Sequence, residues 1–323
     1  MPVVKSNLRG ALMALLAFAI FATHDVVVKH LGSHYSAIQI IFFSVMFGFP
    51  LVTMMLMNDR SDGHLRPVHP WWTAVRTVSS LITGVSAFYA FSVLPLAQTY
   101  AILFAAPLLI TLLAIPILGE KVGLRRGLAI VVGLAGVLIV LRPGAEPLSL
   151  GHLAALAAAV FSSLASVIVR KIGQDERSVV LLLYPMMANF VVLGCVLPFV
   201  YRPMPIEHVA MLGIIAAFGF VAMLLVIAAY RSAEAVIVAP MQYSQMIWAA
   251  IFGFLIFDES PDAYTLLGAG VIIASGLYIV LRESFGNVSK NNPVLRSKSR
   301  PETGLLPRIS LMQRRFERSD DDA

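Results

Sequence analysis

The chain has 323 residues, of which 59% are hydrophobic and only 13% charged, with a mean hydropathy of +0.84; an ordinary soluble domain carries about a quarter charged residues and is excluded. The formal net charge of +6 does not mark a nucleic-acid partner, because Lys and Arg gather in alternate loops and in the C-terminal stretch. A single cysteine, Cys195, lies inside an apolar run, which excludes a disulfide framework and a cysteine-bound metal.

Hydropathy in chain order gives ten apolar segments: 8–30, 37–57, 71–93, 96–118, 124–141, 150–169, 178–200, 208–230, 235–257 and 263–282. At about 1.5 Å per residue, some 20 residues cover the roughly 30 Å of a bilayer's hydrocarbon core. The runs do not alternate, so they are helices rather than barrel strands. The fourth segment closes on Gly119-Glu120 and the ninth on Asp258-Glu259. With the N-terminus on the cytoplasmic side, 21 of the 24 Lys and Arg fall inside and only Lys29, Arg142 and Arg202 outside, so both termini are expected to be cytoplasmic.

The chain also resembles itself. Val26-Val-Val-Lys-His-Leu-Gly32 matches Val167-Ile-Val-Arg-Lys-Ile-Gly173 at an offset of 141, Gly136–Arg142 matches Gly276–Arg282 at 140, and Glu120 matches Glu259 at 139. Five segments per copy is an odd number, so the second copy enters the membrane inverted. The expected fold is thus all-α and polytopic, with ten transmembrane helices in two inverted five-helix repeats, 8–142 and 150–283. A linker, 143–149, joins them, and a disordered cytoplasmic tail, 284–323, follows. Inverted repeats of this kind mark secondary transporters with a site between the halves.

Leu94-Pro-Leu-Ala97, Pro107, Gly119-Glu120, Ala239-Pro240 and Asp258-Glu259, in this order and spacing, resemble the drug/metabolite transporter superfamily, EamA-like branch, over residues 8–283. The resemblance implies a central cavity lined by spans one, three, four, six, eight and nine, and alternating-access movement of a small organic metabolite across the bacterial inner membrane. Within the superfamily, Phe21-Ala-Thr-His-Asp25 followed by Lys29 is similar to uptake carriers for cofactor-like metabolites. Riboflavin is the first candidate substrate, and export of an amino acid or another metabolite is the alternative. Pro107 has Met246 at its counterpart while the second proline is Pro240, so the two halves are expected to bend at different depths.

Ionisable groups inside a bilayer are costly, which makes each a site candidate. Asp25 and Lys29 stand four apart on one helical face, close enough to pair, with His24 adjacent. They read either as a gating or coupling group or as an interfacial anchor. Arg76 begins a stripe through Ser79 or Ser80 and Thr83, and either lines the cavity for an anionic group or snorkels to the interface. In the ninth span Glu234, Val238, Gln242 and Gln245 share one helical face, flanked by Tyr243 and Trp248. The amides suit a planar heterocycle and the rings offer stacking faces. Gln98, Tyr100 and Phe104 of span four would face them. Glu234 joins Asp25, His24 and Lys29 as a coupling candidate. Small-residue steps at Ala129/Gly133 and Gly270/Ala274 suggest close helix packing and a homodimer face. No H-E-x-x-H, G-x-S-x-G or P-loop occurs, so no enzyme, catalytic residue, cofactor or metal is expected. A non-transporting membrane receptor or scaffold is the rival from another class.

Overall fold

The structure is a computed structural model that describes residues 7–57, 66–120, 122–144, 147–173, 175–176 and 178–284. The expected tail lies almost wholly outside the described residues, and the expected linker partly so. Among the described residues all regular segments are helical: α1 Asn7–Gly32, α2 Ala37–Met57, α3 Pro70–Val93, α4 Leu96–Leu103, α5 Ala106–Leu118, α6 Leu124–Leu141, α7 Leu150–Ile172, α8 Ser178–Val200, α9 Ile206–Ser232, α10 Ala235–Val238, a 3-10 stretch Ala239–Ser244, α11 Gln245–Phe257 and α12 Ala263–Ser284. Eight stretches, with Leu96–Leu118 counted as one, are long and apolar enough to cross a membrane. The remaining two of the ten expected segments are α2, whose apolar part Ala37–Pro50 is shorter, and the divided ninth segment.

Local chemistry sets the ends. Pro70 opens α3 at a position where the missing N–H costs nothing, and extended Leu94 before Pro95 closes it. Ser149 caps α7 in a reciprocal arrangement with His152 three residues on. The principal packing pairs are α1 on α9, α3 on α7, α6 on α12, α2 on α8 and α4 on α11. In each, a helix from residues 7–141 lies on one from residues 150–284. The largest buried apolar cluster runs along this seam, from Val28 and Leu31 through Phe88, Phe91, Tyr100 and Phe104 to Met246 and Ile272.

Small residues set how close the helices come. A Cβ on Gly136 would stand 3.0 Å from the carbonyl oxygen of Gly268, and one on Gly268 would stand 2.7 Å from that of Gly136. No larger residue fits where α6 and α12 touch. Gly133 is likewise pressed against Leu108 and Ser275. That expected dimer step is therefore consumed inside the chain, while Gly270 stays exposed.

The two spans do break unequally, over two residues in span four and six in span nine, but they restart at one register. Span four turns at Phe104 and Ala105 and restarts at Ala106, with Pro107 in the first turn of α5. Span nine passes into the 3-10 stretch at Ala239-Pro240 and regains α-helix at Gln245. Ala106 and Gln245 are 139 residues apart, the same offset as Glu120 and Glu259. The two prolines differ in place, but the tighter 3-10 winding spreads the second break over six residues, so both helices restart at one register.

Candidate functional site

The two broken spans cross beside α1, and there the buried polar groups converge. Asp25 is 1% exposed. Its Oδ1 lies 2.7 Å from His24 Nδ1, and its Oδ2 accepts the Tyr100 hydroxyl in a short hydrogen bond. The same hydroxyl accepts the Gln245 amide N–H at 3.2 Å. A chain of contacts thus runs His24–Asp25–Tyr100–Gln245 across α1, α4 and α11. Tyr100 and Gln245 are completely buried, and among the described residues the side-chain carbonyl oxygen of Gln245 has no hydrogen-bond partner. A buried amide oxygen left this way is uncommon, and it is an acceptor at which a bound N–H or O–H donor gains fully.

Aromatic rings enclose the chain. Phe88 meets His24 edge-on at 6.0 Å, Phe91 meets Tyr100 at 5.3 Å, and Phe104 lies 5.8 Å from Tyr100 and 5.1 Å from Tyr243. Phe21 is buried on α1 one turn before Asp25. A buried carboxylate whose partners His24 and Tyr100 are packed by aromatic rings suits an organic cation, through charge and through ring quadrupoles. The arrangement is one-sided, for at the offset of 141 the counterpart of Asp25 is Ser166.

Other candidates lie elsewhere. Lys29 turns from Asp25 to Glu259: its Nζ stands 2.8 Å from Glu259 Oε1 and donates to the Leu94 carbonyl at 2.6 Å. The expected Asp25–Lys29 pair is corrected, because each finds a partner on another helix. Gln98, two residues from Tyr100 and so on the far side of α4, lies 3.1 Å from His152 Nε2. The common face of Glu234, Val238, Gln242 and Gln245 does not survive the 3-10 stretch. Glu234 is exposed before α10, Val238 and Gln245 are buried, and Gln242 is half-buried. Trp248 stacks on Phe252 within α11 at 6.0 Å. Arg76 is buried at 5% exposure with Ser79, Ser80 and Thr83, so it does not snorkel.

Two further residues fix these spans, Ser163 as the helix-contact residue its place on span six suggests. Ser163 bonds the Ala106 carbonyl at 3.2 Å, holding the break of span four from α7. Arg170 pairs with Glu120. The repeat alignment already placed Arg170 opposite Lys29, and that was the available signal.

Comparison with known proteins agrees with this architecture. The model of the EamA-like transporter family matches twice, at residues 8–142 and 149–281. The S-adenosylmethionine uptake transporter of Rickettsia bellii is 26% identical over 269 residues, covering 83% of this chain and 92% of its own. That of Rickettsia prowazekii is 25% identical over 289 residues, covering 89% and 98%. The pseudopaline exporter CntI of Pseudomonas aeruginosa is 25% identical over 268 residues, covering 82% and 94%. A protein crystal structure shares the fold with a TM-score of 0.55 at 17% identity, covering 86% of this chain and 98% of that one.

Proposed function

Because this chain belongs to the EamA-like transporter family, we propose that it takes up a small, positively charged metabolite of the S-adenosylmethionine class across a bacterial inner membrane, by alternating access between two inverted halves. The observation that carries the substrate class is the buried Asp25 carboxylate, held by Tyr100 and His24 among Phe21, Phe88, Phe91 and Phe104. A sulfonium or ammonium group would sit against it, and amino or hydroxyl groups would donate to the Gln245 oxygen. The names of the Rickettsia relatives support uptake of such a cation, while the Pseudomonas relative is named an exporter. The inverted arrangement is supported by the packing pairs: α1 on α9 and α7 on α3 exchange when each helix is replaced by its counterpart in the other repeat.

Riboflavin remains the second reading. The unfilled Gln245 oxygen and the nearby Tyr243 ring would suit its ureide edge and ring face, but none of the relatives named above is a flavin carrier. Radiolabelled S-adenosylmethionine and riboflavin are offered separately to sealed proteoliposomes. The proposal expects saturable S-adenosylmethionine accumulation that unlabelled S-adenosylmethionine blocks and riboflavin does not. Riboflavin flux alone would reverse the assignment. Binding of either without flux would favour a receptor.

A further inference from the structure

The acidic residues that end the two broken spans share one local geometry. Gly119 at φ 69° and Asp258 at φ 55° both adopt the left-handed conformation, which glycine takes freely and aspartate tolerates. The turn sends the next N–H back to the helix: Glu120 to the Ala114 carbonyl at 3.4 Å, and Glu259 to that of Gly253 at 2.9 Å. Gly119 and Asp258, Glu120 and Glu259, and Ala114 and Gly253 are all 139 residues apart. Each carboxylate is thereby folded onto a cation of the other repeat. Glu259 takes Lys29, and its second oxygen accepts the Leu96 N–H at 3.2 Å. Glu120 takes Arg170, beside which Lys171 donates to the Ile117 carbonyl at 2.8 Å over the Trp72 ring.

The pairs lie at opposite ends of the bundle. Gly32, closing α1, abuts Ser92 near the end of α3, and Lys29 binds the carbonyl of Leu94, where span four begins. Leu96–Leu118 then crosses the whole bundle before reaching Glu120. Each pair clamps the segment beyond a helix break, α5 or α11, to the end of α7 or α1. Largely buried where they stand, the ions would be hydrated at an open mouth. Hydration offsets the lost attraction, so made and broken states lie close in free energy, as a switch requires.

We propose that Lys29–Glu259 and Arg170–Glu120 are the two gates of the transport cycle, one at each mouth, opened in alternation. The inference rests on the alternating-access reading but on no particular substrate. It is tested without substrate in a Cys195→Ser background, with a reporter cysteine at Ala97, just inside the first gate, or at Thr111, between the break of span four and the second gate. Both positions are buried and near cysteine in size. Labelling by a membrane-impermeant maleimide is measured in cells and in inside-out vesicles.

Glu259→Gln is expected to raise Ala97→Cys labelling from one face by about tenfold and lower Thr111→Cys labelling from the other. Glu120→Gln should do the reverse. The charge exchanges Lys29→Glu with Glu259→Lys, and Arg170→Glu with Glu120→Arg, should return both signals towards the parent level and serve if a single variant fails to fold. Opposite changes at the two faces support the gates even if S-adenosylmethionine proves not to be carried. Equal or absent changes at both reporters, or exchanges that restore neither, overturn them.

Discussion

Tyr100→Phe removes one hydroxyl and no carbon, so it leaves no apolar cavity and isolates the polar chain at the site. The hydroxyl donates to Asp25 and accepts from Gln245, whose side chain makes no other hydrogen bond among the described residues. Both neighbours are buried, so water does not replace it. A hydrogen bond to an ionised group contributes about 1.5–3 kcal/mol and a neutral one about 0.5–1.5 kcal/mol, which puts the expected destabilisation at about 2–4.5 kcal/mol. Thermal unfolding of the purified carrier in detergent reads it, with Tyr201→Phe as an exposed control expected within about 0.5 kcal/mol of the parent. Gln245→Leu should be non-additive with Tyr100→Phe by about 0.5–1.5 kcal/mol, because both delete the same bond. A Tyr100→Phe carrier as stable as the control, with an additive double variant, would refute the hydrogen-bonded chain.

Asp25→Asn should weaken binding of the cationic substrate and so reduce both accumulation and exchange of labelled for unlabelled substrate; lost accumulation with preserved exchange would instead make the carboxylate an ion-coupling group, and normal accumulation would remove both roles. Gly136→Val should cost about 1–3 kcal/mol through overpacking against Ile272 and the Gly268 carbonyl, whereas Gly270→Ala on the open face should be neutral or stabilising by up to about 1 kcal/mol; the same unfolding assay compares them. Reporter fusions after Arg282 should read cytoplasmic and fusions within 201–207 periplasmic, and opposite signals at both would reverse the orientation drawn from the loop charges.

The ten segments and their helical state were legible in the chain because lipid imposes them: a backbone in hydrocarbon must satisfy its own hydrogen bonds, and an apolar run of some 20 residues does so only as a helix. The acidic stops and the self-match at offsets of 139–141 were legible too, being local in sequence. Partner choice was not. Lys29 has Asp25 one turn away, yet its partner is Glu259, 230 positions on. Asp25 takes Tyr100 instead, and Tyr100 takes Gln245. Sequence spacing describes neighbours on one helix, whereas these pairs form between helices whose approach depends on small-residue contacts such as Gly32 against Ser92. The face projected for Glu234, Gln242 and Gln245 failed for a related reason. It assumed 3.6 residues per turn through a stretch that winds at three, and that change buries Gln245 beside Tyr100 while leaving Glu234 outside.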